Sequence, residues 1–196
     1  VRHARGVIFS SSAAVYGSQE GLLSEDTMPH PESPYATQKL IGETLCESYA
    51  LQYGLPCIAL RYFNVYGTGN HEEGSYAPVT ARFLKAKREG KHLSVVGDGE
   101  QTRDFIHVTN IAQANVQAVE LLTPHHYEVI NVCTGIGTKV IDIAKSIGGE
   151  IDHLPPRTEP KNSRGNPEKL SKLIKDIHLI SLEEGLREML FTQQNR

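Results

Sequence analysis

Ser33-Pro34-Tyr35-Ala36-Thr37-Gln38-Lys39 and, one helix length further on, Gly54-Leu55-Pro56-Cys57-Ile58-Ala59-Leu60-Arg61-Tyr62-Phe63 are the stretches from which the fold is read. Serine before proline is a helix start: the hydroxyl accepts an orphan N–H, and the proline ring presets the first helical φ. The spacing predicts a helix from there to about Tyr53, stopped by Gly54 and Pro56. Cys57 to Phe63 is then a short apolar run of the kind found in a buried parallel strand. Upstream, Val7-Ile8-Phe9-Ser10 has the same character, so the chain opens inside a sheet. Strand, helix and strand of these lengths imply a right-handed parallel crossover.

Outward from this unit, residues 18–32 are rich in Ser, Glu and Pro without periodicity and read as a loop. After Phe63 come a glycine-rich loop, Gly67-Thr68-Gly69-Asn70, a helix near Ala77 to Glu89, a strand at Leu93 to Val96 and the turn Gly97-Asp98-Gly99. Strand-like Asp104 to Val108 precedes a helix at Asn110 to Leu122, a strand at Val129 to Val132 and a helix near Val140 to Ile147. Leu182, Leu186, Met189 and Leu190 mark a C-terminal helix. The class is α/β, with elements of a second lobe mixed into the later half.

A chain of 196 residues, 39% hydrophobic, can bury a substantial core. Its net charge of -3, without long runs of one sign, gives no footprint for nucleic acid or anionic lipid. Apolar stretches of about six residues fall far short of a membrane span, and Val1-Arg2-His3 is no signal peptide, so a cytoplasmic protein is expected. Cys46, Cys57 and Cys133 are far apart in apolar surroundings, the pattern of reduced thiols packed as small hydrophobes. The nine histidines show no metal-ligand spacing, and no metal is expected.

Tyr35 and Lys39 lie four residues apart, on one face of the helix opened by Ser33-Pro34. A phenol is a poor base at neutral pH; lowering its pKa by about three units requires roughly 4 kcal/mol of differential phenolate stabilisation. A nearby lysine and a cationic nicotinamide can supply it. Tyr-x-x-x-Lys alone is a common surface pair, but here Ser10-Ser11-Ser12 closes one strand and Asn64-Val65-Tyr66-Gly67 closes the next. Carboxyl ends of parallel strands are where open α/β sheets bind ligands.

Together Phe9-Ser10-Ser11-Ser12-Ala13-Ala14-Val15-Tyr16-Gly17, Ser33-Pro34-Tyr35-Ala36-Thr37-Gln38-Lys39 and Leu60-Arg61-Tyr62-Phe63-Asn64-Val65-Tyr66-Gly67 resemble the extended short-chain dehydrogenase/reductase family, most closely its UDP-hexose 4-epimerases. The resemblance continues through Gly97-Asp98-Gly99-Glu100-Gln101-Thr102-Arg103-Asp104-Phe105-Ile106-His107-Val108 to Ser181-Leu182-Glu183-Glu184-Gly185-Leu186. It implies the C-terminal part of a Rossmann-type parallel sheet over residues 1–70, with a smaller α/β substrate-binding lobe over 71–196 that returns some segments to the sheet. NAD is the implied cofactor and a UDP-sugar the implied substrate. Tyr35 is the implied base, Lys39 its tuner and nicotinamide-ribose ligand, and Ser12 the hydroxyl that relays or polarises the sugar oxygen. Ser10, Ser11 and Tyr62 join Tyr35 and Lys39 at the cofactor. Asn64 and Arg103 match diphosphate positions, Phe83 lies near the matching uracil pocket, and Arg157-Thr158-Glu159 resembles the element whose arginine binds phosphate and whose carboxylate binds ribose. Ser163, four residues beyond Glu159, matches the position facing the C2 substituent of the sugar, where a small side chain admits an N-acetyl group.

Thr134-Gly135-Ile136-Gly137 after a strand mimics a dinucleotide fingerprint, but Val140 stands at the third glycine position, and in the resembled family this is a substrate-lobe turn. Roughly a hundred residues bearing the true fingerprint are expected upstream. The 196-residue chain is therefore expected to be inactive alone, with uncovered apolar faces on the strands Val7 to Phe9 and Cys57 to Leu60. The family's dehydratases carry Asp-Glu after the catalytic hydroxyl, and its decarboxylases usually keep the glutamate; Ala13 and Ala14 stand here. The reading is thus 4-epimerisation of UDP-glucose, UDP-galactose or their N-acetylated forms, by a homodimer when full length. Epimerisation of UDP-glucuronate or an ADP-heptose, and a non-catalytic nucleotide-sugar-binding remnant, are the alternatives.

Overall fold

The computed structural model describes residues 4–72, 74, 77–157, 159–175 and 177–194. Val1, Arg2 and His3, weighed above as a leader, lie outside them. The strands are β1 (Val7–Ser12), β2 (Gly21–Leu23), β3 (Cys57–Tyr62), β4 (Asn64–Tyr66), β5 (Leu93–Val96), β6 (Thr102–His107), β7 (Tyr127–Val132), β8 (Gly137–Lys139), β9 (Ile151–Leu154) and β10 (Asn162–Gly165). The helices are α1 (Pro34–Tyr53), α2 (Val79–Arg88), α3 (Val108–Ala118), α4 (Val140–Ile147), α5 (Glu168–Leu173) and α6 (Leu182–Gln194). One parallel sheet runs β1-β3-β7, a second runs β2-β10-β6-β4 with β8 antiparallel on β6, and β5 pairs with β9. The fold is α/β, as its sequence predicts.

Local chemistry sets α1. Ser33 Oγ accepts from Ala36 N at 3.1 Å, Pro34 occupies the first helical position, and Gly54, at φ 68°, ends the helix in a left-handed turn. Other elements depend on distant partners. β2 lies inside the expected loop 18–32 and exists because Gly21 to Leu23 pair with Ser163 to Gly165 of β10. β4, β8, β9, β10 and α5 are likewise too short to announce themselves by periodicity.

β3 is the centre of the first sheet. Cys57, Ala59 and Arg61 face α1, whereas Ile58 and Leu60 join Ile111, Ala114, Ala118, Ile130, Val132 and Leu170 in a core beneath α3 and α5. Residues Cys57 to Leu60 are at most 1% exposed. The expected bare face on this strand is therefore absent, because helices cover both sides; β1, which among the described residues pairs with β3 alone, has its Val7, Ile8 and Phe9 half-buried. A second core joins α2, α4 and α6 through Phe83, Leu84, Leu93, Val95, Ile143 and Met189. All three cysteines are buried and unpaired. Burial pushes the Cys46 thiol up to about 12 and raises Cys57 and Cys133 as well, so all three behave as packing groups.

A buried polar network fastens α1 to the sheet. Glu43 accepts from Arg61 Nε at 2.9 Å, Arg61 Nη2 at 2.7 Å and Ser11 Oγ at 2.5 Å. Arg61 Nη1 also donates to Tyr16 OH, which donates to Asn131 Oδ1. Burial raises the Tyr16 phenol above its ordinary range, against the opposing pull of Arg61, so it serves as a neutral donor. One residue before Glu43, Gly42 lets the helix sit on the strand: a β-carbon there would run into the Phe9 ring. Glu43→Ala would strand the Arg61 charge in the interior, and we predict a loss of about 3–5 kcal/mol in urea unfolding. A loss below 1 kcal/mol would show that water or another acceptor replaces the carboxylate.

Candidate active site

Strand alternation separates the three serines that end β1. Ser10 and Ser12 point to one face and Ser11 to the other. Ser11 is 2% exposed and its hydroxyl is held by Glu43, so a cofactor contact by this side chain gives way to a structural one. Ser10 Oγ lies 3.1 Å from Tyr62 OH, which donates to Asn115 Oδ1 at 2.9 Å. Ser12 Oγ accepts from Ala14 N at 3.1 Å and caps the short turn Ala13–Tyr16, which leaves its own proton to donate. From α1, Lys39 Nζ donates to Ser10 O at 2.8 Å and stands 5.4 Å from the centroid of the half-exposed Tyr35 ring. A phenol, an ammonium and two hydroxyls thus gather at the carboxyl end of β1.

A cavity of about 370 Å³ is bordered by Asn64, Arg82, Arg103, Arg157 and Glu159, with Ser94, Val96, Gln101 and Val140 among its other walls. Arg103 Nη2 donates to Glu159 Oε2 at 2.7 Å and Arg157 Nε to Glu159 Oε1 at 3.3 Å. Asn64 Nδ2 donates to Asp104 O at 2.8 Å. The structure therefore brings Asn64, Arg103, Arg157 and Glu159 together; Thr158 lies outside the described residues. It does not bring Phe83 to them. Phe83 is 2% exposed, packed in the core with Leu84 and Leu93, and Arg82 takes the cavity side of α2, three residues from Val79. Ser163 sits on β10 opposite Arg103 of β6 and outside the cavity lining. Ser94 and Val96 were legible in principle, since they alternate with the fully buried Leu93 and Val95.

Asp104 holds this architecture. Fully buried, its carboxylate accepts from Thr134 N at 2.9 Å, Thr134 Oγ1 at 2.6 Å, Gly135 N at 2.8 Å and Gly165 N at 3.1 Å. The turn that mimics a fingerprint thus spends its amides on an internal carboxylate and runs into β8 instead of a helix.

Residues 1–133 match the NAD dependent epimerase/dehydratase family. The chain belongs to that family. It is 32% identical over 190 residues to the uncharacterized UDP-glucose epimerase YtcB of Bacillus subtilis, covering 91% of this chain and 57% of the relative. It is 33% identical to a UDP-N-acetyl-alpha-D-glucosaminuronate decarboxylase of Bacillus cytotoxicus, covering 94% and 62%. A UDP-N-acetylglucosamine 4-epimerase from Methanobrevibacter ruminantium, solved with UDP-N-acetylmuramic acid, superposes with a TM-score of 0.88 at 36% identity over 97% of this chain and 64% of that one. The chain thus spans about three fifths of the length of its relatives.

NAD is the cofactor of this family. The hydroxyls of Ser10 and Tyr62 and the Lys39 ammonium, clustered at the strand ends beside Tyr35, are a donor set suited to a nicotinamide riboside. The amides at 134–135, already satisfied by Asp104, do not suit its pyrophosphate.

Proposed function

We propose that these 196 residues supply the catalytic and sugar-binding part of an NAD-dependent UDP-hexose 4-epimerase. Residues 1–70 carry the chemistry, and 71–196 chiefly bind the nucleotide sugar. The observation that carries the reading is the pairing of two centres: Tyr35, Lys39 and Ser12 at the end of β1, and a cavity walled by Asn64, Arg103, Arg157 and Glu159. Ala13 and Ala14 put no carboxyl group beside Ser12, which favours epimerisation over the elimination and decarboxylation known among family members.

In this mechanism Arg103 and Arg157 hold the diphosphate, and Glu159 the ribose hydroxyls. Tyr35 takes the proton of the sugar's 4-hydroxyl while Ser12 donates a hydrogen bond to the same oxygen. Lys39, fixed by Ser10 O, offers countercharge to the oxyanion on Tyr35. The chemistry that bound NAD supplies is reversible hydride transfer at C4. The diphosphate anchor then lets the 4-keto sugar turn over, so that the opposite face of C4 is presented for hydride return while its C4 oxygen regains its proton from Tyr35. Ser163, small and beside Arg103, leaves room for an N-acetyl group at C2. We further propose a homodimer joined through α1, whose Ile41, Leu45, Tyr49 and Tyr53 form an exposed stripe at four-residue spacing. Three unpaired buried thiols favour a cytoplasmic setting.

The chain alone offers no glycine cradle for the dinucleotide, so we expect it to be inactive unaided and calorimetry to detect UDP binding but no NAD binding in the low-micromolar range. Tight NAD binding would overturn that expectation. Joined to the dinucleotide-binding lobe of the Methanobrevibacter relative, the Tyr35→Phe variant should lose about a thousandfold or more in turnover with UDP affinity nearly unchanged. Unaltered turnover would remove Tyr35 as the base. In the same fusion, Ser163→Tyr should abolish turnover of UDP-N-acetylglucosamine while sparing UDP-glucose. Equal losses would exclude Ser163 as the gate.

A further inference from the structure

Three guanidiniums border the 370 Å³ cavity, those of Arg82, Arg103 and Arg157, against one carboxylate, Glu159. Arg103 and Arg157 share that carboxylate. Arg82, exposed on the first turn of α2, takes part in none of the ion pairs among the described residues. Ala77, Pro78 and Val79 bring the start of α2 to the same cavity, and Pro78 at the N-cap makes no side-chain hydrogen bond to the helix. The wall formed by the start of α2 is thus positive twice over, by a side chain that joins no ion pair among the described residues and by a helix end without a side-chain cap. Like charges converging on so small a space repel one another unless an anion joins them.

We propose that Arg82 is a specificity-determining residue for the diphosphate linkage of the substrate. The inference rests on the nucleotide-sugar reading above. Arg82, Arg103 and Arg157 against Glu159 leave an excess of two positive charges, which matches the two negative charges of a diphosphate diester at neutral pH. A single phosphate group, even as a dianion, reaches fewer of the three guanidiniums than a diphosphate spanning them does, and a neutral nucleoside offers them no charge. Arg82 therefore makes the cleft discriminate by phosphate count, and its exposure gives an approaching anion its first countercharge.

The test is calorimetry on the 196-residue chain with UDP, UMP and uridine at low and moderate salt. Arg82→Gln should weaken UDP about tenfold or more, UMP less, and uridine by less than about twofold, with a shallower salt dependence for UDP. Arg82→Lys should recover part of the loss. Arg88→Gln, on the same helix but paired with Glu72, should leave UDP binding as in the parent chain. Undiminished UDP binding by Arg82→Gln, or equal losses for UDP and uridine, would overturn the role of Arg82 while leaving the nucleotide-sugar reading intact. Failure of the parent chain to bind UDP at all would overturn both.

Discussion

The ion pair between Glu43 and Arg61 is the constraint on which the site depends. Both side chains are nearly fully buried, and burying two charges is tolerable only when every strong donor and acceptor finds a partner. Glu43 gathers three donors from two strands, and the third nitrogen of Arg61, Nη1, donates to Tyr16. The geometry this enforces is a fixed seating of α1 on β1 and β3. Lys39 lies one turn before Glu43 and Tyr35 one turn before Lys39, so the seating of Glu43 carries both to the ends of the strands.

Asp104 does for the second sheet what Glu43 does for the first. Its four donors come from the turn after β7 and from β10, so a single carboxylate ties β6 to two segments remote in sequence. Arg103 precedes it on β6, and Asn64 hydrogen-bonds its carbonyl. The diphosphate-binding candidates are therefore held by backbone register and not by the long side chains alone. β7 belongs to the first sheet, so the turn that Asp104 captures also couples the two sheets.

The elements legible in the sequence were those fixed by local chemistry. α1 has its serine cap, proline and terminal glycine; α4 and β5 declare themselves by apolar spacing that ends at their observed bounds. β2, β4, β8, β9 and β10 depend on pairing across long separations, which no three- or four-residue window encodes. Among candidate site residues, Asn64, Arg103, Arg157 and Glu159 come together around one cavity. Phe83 does not join them, because an aromatic residue in a short amphipathic helix fits a core as well as a pocket, and only the packing of α2 on β5 and α4 decides between them. Ser11 shows the same limit: three consecutive serines look alike until the pleat sends the middle one toward Glu43.

In the mechanism we propose, the β1 end and the arginine-lined cavity are two halves of one site, spanned by a single nucleotide sugar. A crystal structure of the chain with UDP-N-acetylglucosamine tests this most directly. The diphosphate is expected between Arg103 and Arg157, with the C4 oxygen of the sugar within hydrogen-bond reach of Tyr35 and Ser12. A ligand seated instead in the cleft bordered by Gly67, Glu72, Arg88 and Met189, or a hexose turned away from Tyr35, would contradict it.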